Sequence, residues 1–275
     1  MPSFHVRHDF MPVVGREAIL LLLQAPASAN DELRRRAIER GLELGERRSL
    51  DKVLASLRDL GLVERTPRAS VGGIRLTPLG RHLAEVSIRD PFLFAEIVHL
   101  RYWWLWASGD TEVVFSWAYR EVANMLWDES PTTVDSDRLV AMVLAAAERE
   151  FGVAGASFSP SSVLGVLHWL RALSPPCLDG VQFHRRLTCP PESVVVCLEG
   201  VQAEKGQPLT MPLRVDVGVR ERVCRATLLD ESVLDDALSQ AIETLGLMRR
   251  SGDGGDFVVL RSSLVPDLVS GRANP

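Results

Sequence analysis

Between positions 34 and 75 the chain carries side chains suited to a polyanion: Arg34, Arg35, Arg36, Arg47, Arg48, Ser49, Lys52, Ser56, Arg65, Arg68 and Arg75. Lysine and arginine that meet phosphates release condensed counterions, and that release supplies most of the affinity for a duplex. Side chains on the opening turns of a groove-lying helix also reach base edges. Spacing sorts the set by role. Arg47, Arg48, Ser49, Lys52 and Ser56 are expected at or near the N-terminal, solvent face of one helix, where bases are met. Arg65, Arg68 and Arg75 belong to a turn that would rest on backbone or minor groove. Arg34, Arg35 and Arg36 would brace phosphates. The alternative is a solvated basic face with no ligand. Asp51, Asp59 and Glu64 sit among these cations and point to moderate affinity.

The charge is directed. From Arg34 to Arg81 there are 12 Lys/Arg against 6 Asp/Glu, whereas the rest of the chain has 19 against 30, giving −5 overall. A basic segment in an acidic protein is a local feature rather than general stickiness.

The elements that must hold this set follow from hydrophobic spacing. Residues 13–24 (VVGREAILLLLQ) form an apolar helix after an arm, Phe4-His5-Val6-Arg7-His8-Asp9-Phe10, whose phenylalanines are expected to tuck into the first domain. That arm's two histidines and aspartate raise a metal site, but no third ligand cluster accompanies them. Asn30 caps a second helix, with Asp31 and Glu32 favoured by the dipole of its first turn. Leu50, Val53, Leu54, Leu57 and Leu60 recur at helical spacing behind Ser49 as N-cap, and Gly61 ends that helix. Residues 62–65 and 74–76 read as a hairpin, and Thr77-Pro78 as cap and first turn of the next helix.

Helix, glycine stop, two-stranded wing and helix resemble the second half of a winged helix-turn-helix, in wording close to the small bacterial regulators that include the MarR-like ones. The resemblance implies a DNA reader, although winged helices also dock proteins. Many such readers bind as dimers on two half-sites, so a homodimer is one expected assembly, but no segment identifies a dimer helix.

Further on, Asp90-Pro91 opens a segment holding Phe92, Phe94, Tyr102, Trp103, Trp104, Trp106, Phe115, Trp117, Tyr119 and Trp127, broken at Gly109-Asp110. An aromatic stripe can stack on bases, but at helical spacing with few interleaved cations it reads as the core of a helical hairpin. Residues 130–133 read as a linker, Asp135–Phe151 as an amphipathic helix, and Ser159-Pro160 as the start of another. A hairpin over 178–188 completes a winged-helix-like middle module. Val194-Val195-Val196 alone suggests a strand, yet the Pro190-Pro191-Glu192 start and Leu198 and Val201 favour a helix. Residues 213–219 are left between strand and short helix. Asp230 caps a helix through Leu245, stopped by Gly246 and followed by a hairpin over 247–260.

Two ends of the chain align. Leu60-Gly61-Leu62-Val63-Glu64-Arg65 matches Leu245-Gly246-Leu247-Met248-Arg249-Arg250, with Val53 on Leu238 and Leu57 on Ile242. Their exposed positions differ, Lys52 falling on Ala237 and Arg58 on Glu243. An acidic helix is repelled by phosphates, so DNA contact is assigned to the first copy and packing or protein contact to the last.

The expected class is therefore mainly α with short β-hairpin wings, as tandem winged-helix modules around an aromatic-rich helical segment. The expected divisions are 1–86 (arm and winged helix), 87–130 (aromatic hairpin), 131–190 (middle module), 191–269 (C-terminal module) and 270–275 (loose tail).

A second resemblance is carried by FHVRHDF, by LTPLGRHL ending the winged helix, by DPFLFAEIVHLRYWWLW and by VFSWAYREVANMLWD. Together they are similar to a bacterial family of about this length encoded beside PAPS-reductase-like, DNA-phosphorothioation or other phage-defence genes. It implies a DNA-binding or scaffolding accessory, with protein subunits of a defence complex as partners, and transfers no catalytic residue. The match does not extend to the last 120 residues.

No phosphate loop, dinucleotide glycine fingerprint, nucleophile elbow or His-Glu-x-x-His occurs, so no enzyme, cofactor or metal is expected. Gly252-x-Gly254-Gly255 is a hairpin tip, and His99, His168 and His184 are isolated. Cys177, Cys189, Cys197 and Cys224 lack zinc-ribbon spacing and read as buried or idle thiols. The apolar run Ala18–Leu23 is too short for a bilayer, and the start lacks a signal pattern, so the cytoplasm is the expected location. Two functions remain: a DNA binder acting as regulator or defence accessory, and a scaffold whose winged helices hold partner proteins without DNA.

Overall fold

The apolar run near the start is helix α1 (Pro12–Gln24), which buries Val14, Ala18, Ile19, Leu21 and Leu22. The structure, a computed structural model, describes residues 4–24, 30–42, 50–66, 73–106, 113–152, 157–252, 255–265 and 268. Helices α2 (Asn30–Glu39) and α3 (Leu50–Asp59) follow. The apolar positions of α3, Leu50, Val53, Leu54 and Leu57, are buried as their spacing requires. Past the helix, Gly61 takes φ +72°, the left-handed conformation that residues with a Cβ avoid. Strands β1 (Val63–Arg65) and β2 (Ile74–Leu76) then pair antiparallel, Val63 opposite Leu76.

Thr77 caps α4 (Pro78–Arg89), its hydroxyl oxygen accepting from the Gly80 amide, with Pro78 in the first turn. Asp90 caps α5 (Pro91–Leu105) in the same way, accepting from the Phe92 and Leu93 amides. With α6 (Val114–Asp128) this is the aromatic segment, and its rings are core. Trp103, Trp104, Trp117, Trp127 and Tyr119 are buried, and Tyr102 stacks on Tyr119 at 4.5 Å between ring centroids. Phe92 alone among the expected core aromatics is well exposed, at 63 %. The break at Gly109-Asp110 lies outside the described residues.

The rest of the chain repeats one order. After α6 come strand β3 (Thr132–Thr133), helices α7 (Ser136–Phe151) and α8 (Pro160–Arg171), and the hairpin β4 (Leu178–Asp179) and β5 (Gln182–Phe183). Then α9 (Pro191–Glu204), β6 (Leu213–Arg214), α10 (Val217–Thr227), a short 3-10 turn, α11 (Leu234–Leu245), β7 (Met248–Gly252) and β8 (Gly255–Val259). Both times the early strand pairs with the last strand of the hairpin, giving the orders β3-β5-β4 and β6-β8-β7. Helix, strand, two helices and hairpin thus occur at 114–183 and again at 191–259. In α1 to β2 the same order holds, except that the place of the early strand falls on residues 25–29, outside the described residues. The molecule is mainly helical with small antiparallel sheets.

Several expectations are corrected. Residues 130–133 are not simply a linker, because Thr132 and Thr133 are strand β3 and pair with Phe183 and Gln182. Residues 213–219 are both alternatives in turn, the whole of β6 and the start of α10. The arm does not tuck into the first unit alone. Phe4 packs edge-on against Trp117 of α6, while Phe10 lies 5.3 Å from Trp169 of α8 and also covers Gly15. His5 hydrogen-bonds Ser162 of α8 at 2.6 Å, so the arm ties the first unit to the middle one. The valine run of α9, by contrast, is the helix that its proline start favoured, buried on nearly every side.

The aligned ends agree locally. Gly246 takes φ +66° after α11 as Gly61 does after α3. The helices differ in orientation, however. α3 buries Leu50, Val53, Leu54 and Leu57, while α11 buries Leu234, Ala237, Leu238 and Ala241. The buried stripe is displaced by about one residue, roughly 100° around the axis, which is why Ala237, the counterpart of exposed Lys52, is covered.

Among the described residues no helix is long and apolar enough to cross a membrane, and no group of metal-ligating side chains gathers.

Candidate nucleic-acid interface

Helix α3 turns its buried stripe toward α1 and leaves Asp51, Lys52 and Arg58 exposed, with Ala55 and Asp59 partly covered between them. These positions recur every three or four residues, so they form one outward face. The hairpin stands beside it. Between them is an open cleft of about 450 Å³, with an apolar floor of Leu54, Val63 and Ile74 and a rim that includes Arg58 and Arg65.

Each described cation of the set can be placed. Arg34 on α2 reaches across to Asp51 on α3 at 2.9 Å. Arg35 pairs with Glu32 at 2.6 Å and Glu39 at 3.0 Å, and Arg36 with Glu32 at 2.6 Å. Hydrogen bonds from Arg35 and then Arg36 hold the Glu32 carboxyl below the usual carboxylate range, and Arg35 is held above its own. Lys52 lies 3.5 Å from Asp9 of the arm. Arg75 faces Glu64 across the hairpin at 2.7 Å, as their register requires. Arg65 is exposed at the end of β1. Arg47, Arg48, Ser49 and Arg68 lie outside the described residues.

Ser56 has to be withdrawn from the contact set. It is 3 % exposed, and its hydroxyl donates to the Lys52 carbonyl one turn back at 3.1 Å. It occupies the stripe that faces α1, and a small side chain with an internal partner fits there without an unmet hydrogen bond. Arg58, which was not assigned a contact from the sequence, takes its place. It is exposed on the same face as Asp51 and Ala55, lines the cleft, and makes no ion pair within the described residues. Its i+3 spacing from Ala55 and i+7 from Asp51 was the available signal.

The described cations are therefore at least partly exposed but mostly engaged by carboxylates. Such surface pairs contribute little net stability, because water and salt screen them. A phosphate can replace the carboxylate at small cost.

The third unit differs at the corresponding place. Its cleft between α11 and the β7–β8 hairpin shrinks to about 10 Å³. Arg220 of α10 makes two bonds to Asp235 at 2.8 and 3.0 Å, and Arg249 pairs with Asp256 at 2.5 Å. No protein-family model matches the chain, and no match was found among curated proteins.

Proposed function

We propose that this chain is a non-enzymatic DNA-binding protein built from tandem winged helices, which contacts duplex DNA through its first unit. α3 is the groove helix and the β1–β2 hairpin the wing. The repeated order of helix, strand, two helices and hairpin supports the winged-helix reading, as does the sheet order with the early strand beside the last. One observation carries the choice of unit. The cleft beside α3 is open and lined by Arg58 and Arg65, and Arg34 and Arg75 pair with its lining carboxylates Asp51 and Glu64. The one beside α11 is far smaller, and its lining includes the Arg220–Asp235 and Arg249–Asp256 pairs. In this reading the chain is a transcriptional regulator or an accessory of a defence or DNA-modification system, and its acidic C-terminal unit meets protein.

A second reading has its own support. Arg34, Arg35, Arg36, Lys52 and Arg75 each face a carboxylate within 3.5 Å, and the cleft floor is apolar. Both suit a protein-docking scaffold that binds no DNA.

A salt titration of duplex binding separates them. DNA binding requires affinity that falls steeply with salt, with a slope reduced by about one for each phosphate contact removed in Lys52→Ala or Arg58→Ala. Affinity that is weak at every salt concentration and indifferent to both substitutions would leave only the scaffold.

A further inference from the structure

The end of α3 is held by a side chain from another unit. Arg101 of α5 is 1 % exposed, and its Nε donates to the Leu60 carbonyl at 2.9 Å. That carbonyl lies just past α3, where C=O groups lack helical partners and the helix dipole is negative. A guanidinium answers both needs. The fit also fixes residue 61: a Cβ there would lie 3.0 Å from Arg101 Nη2, at a φ already unfavourable for side chains. Thr77 closes the junction from the other side, its hydroxyl donating to the Gly61 carbonyl at 2.7 Å.

The same guanidinium holds a second segment. Its Nη1 donates to the Leu268 carbonyl, and Leu268 is buried. Between β8 and Leu268 the chain is pinned again. The Ser263 hydroxyl and the Leu264 amide donate to the Glu199 carboxylate of α9 at 2.8 and 2.6 Å. One buried arginine thus joins the end of α3 to the segment that leaves the third unit.

We infer that Arg101 is a positioning residue for α3, and that the segment after β8, pinned by Glu199, fixes through it how α3 is presented to a ligand. The nature of that ligand rests on the DNA-binding reading; the coupling does not.

The test uses the full chain with Arg101→Lys, which keeps the charge but loses the planar fork that serves two carbonyls, and with Glu199→Ala, far from α3. Amide hydrogen exchange is measured in the free protein, under conditions where local opening precedes global unfolding. Residues 57–62 are expected to exchange about tenfold faster or more in both variants, the scale of losing a hydrogen bond to a charged group. Unchanged exchange at 57–62 in Glu199→Ala overturns the inference. That variant also decides the matter if Arg101→Lys does not fold. With duplex DNA, Glu199→Ala is expected to weaken binding at an unaltered salt slope, because no phosphate contact is removed. A slope that falls along with affinity counts against a positioning role. Failure of the wild type to bind DNA would sink the proposed function alone, and the exchange result would still decide the coupling.

Discussion

Glu96 and Arg186, 90 residues apart in sequence, face each other at 2.6 Å with both side chains shut away from water. Glu96 also accepts from the Ser193 hydroxyl at 3.0 Å and the Ser174 amide at 2.9 Å, while Arg186 Nε donates to the Thr227 carbonyl at 2.8 Å. α5, α9, the turn after α8 and the end of α10 therefore meet at one ion pair.

A buried pair adds little net stability, but half of one is costly. Replacing one partner leaves an uncompensated charge in a dry site, at about 3–5 kcal/mol. Glu96→Gln is expected to lower the unfolding free energy from urea titration by that amount, with a correspondingly lower midpoint. Glu96→Met combined with Arg186→Met should cost less than the sum of the single changes, since each removes the other's burden. Strict additivity in a double-mutant cycle would show that the two groups do not act as a pair.

His99 makes stability depend on pH. Its Nε2 lies 2.8 Å from the Ala226 carbonyl and its Nδ1 2.8 Å from the Tyr119 hydroxyl. The carbonyl can only accept, so Nε2 carries the proton and Nδ1 accepts from tyrosine. Burial pushes its pKa down from 6.5 to about 4. The unfolded chain therefore takes up this proton first. The stability it contributes is complete above pH 6.5 and is lost as pH falls toward 4, by roughly 3 kcal/mol across the window. Unfolding free energies measured between pH 7 and 5 should fall in the wild type and much less in His99→Gln. Parallel curves for the two proteins would contradict a neutral buried imidazole.

The four cysteines are buried and free of disulfides. Burial raises the thiols of Cys177, Cys189 and Cys224 to about 12 and pushes Cys197 up as well. Reaction needs the thiolate. A thiol-specific disulfide reagent at pH 8 should titrate none of them in the native protein and all four in denaturant. One fast native thiol would locate an exposed site absent from this arrangement.

What the sequence disclosed was punctuation. The caps Thr77 and Asp90 and the stops Gly61 and Gly246 stand where their residue types say, because each does one local job. β3 was not legible, since a two-residue strand is defined only by its distant partner, and β6 was legible only as one of two alternatives for 213–219. α10 was hidden for a related reason: Gly218 weakens its start, and it ends in Leu228 at φ +57° rather than in a glycine. At the candidate interface the pairs of Arg35 and Arg36 with Glu32 follow from helical spacing. Arg34–Asp51 and Lys52–Asp9 do not, because they join separate elements. Ser56 misled because a hydroxyl that bonds its own helix can occupy a core position while looking like a surface residue.

The contact between Gly200 and Trp104 supplies a test of how tightly the aromatic segment is packed. A Cβ at position 200 would lie 2.4 Å from Trp104 Cε2, so α9 comes down flat on the indole. Both residues are in the core, Trp104 at 1 % exposure. Gly200→Ala removes backbone freedom from the unfolded chain, which alone would stabilise a helix by about 1 kcal/mol. Overpacking opposes it at about 1–3 kcal/mol, because neither the ring nor the helix backbone can yield as a flexible chain end would. The clash should win, with a lower unfolding midpoint and an altered near-ultraviolet tryptophan signal. A more stable Gly200→Ala protein would mean that α9 and α5 are further apart than this contact requires.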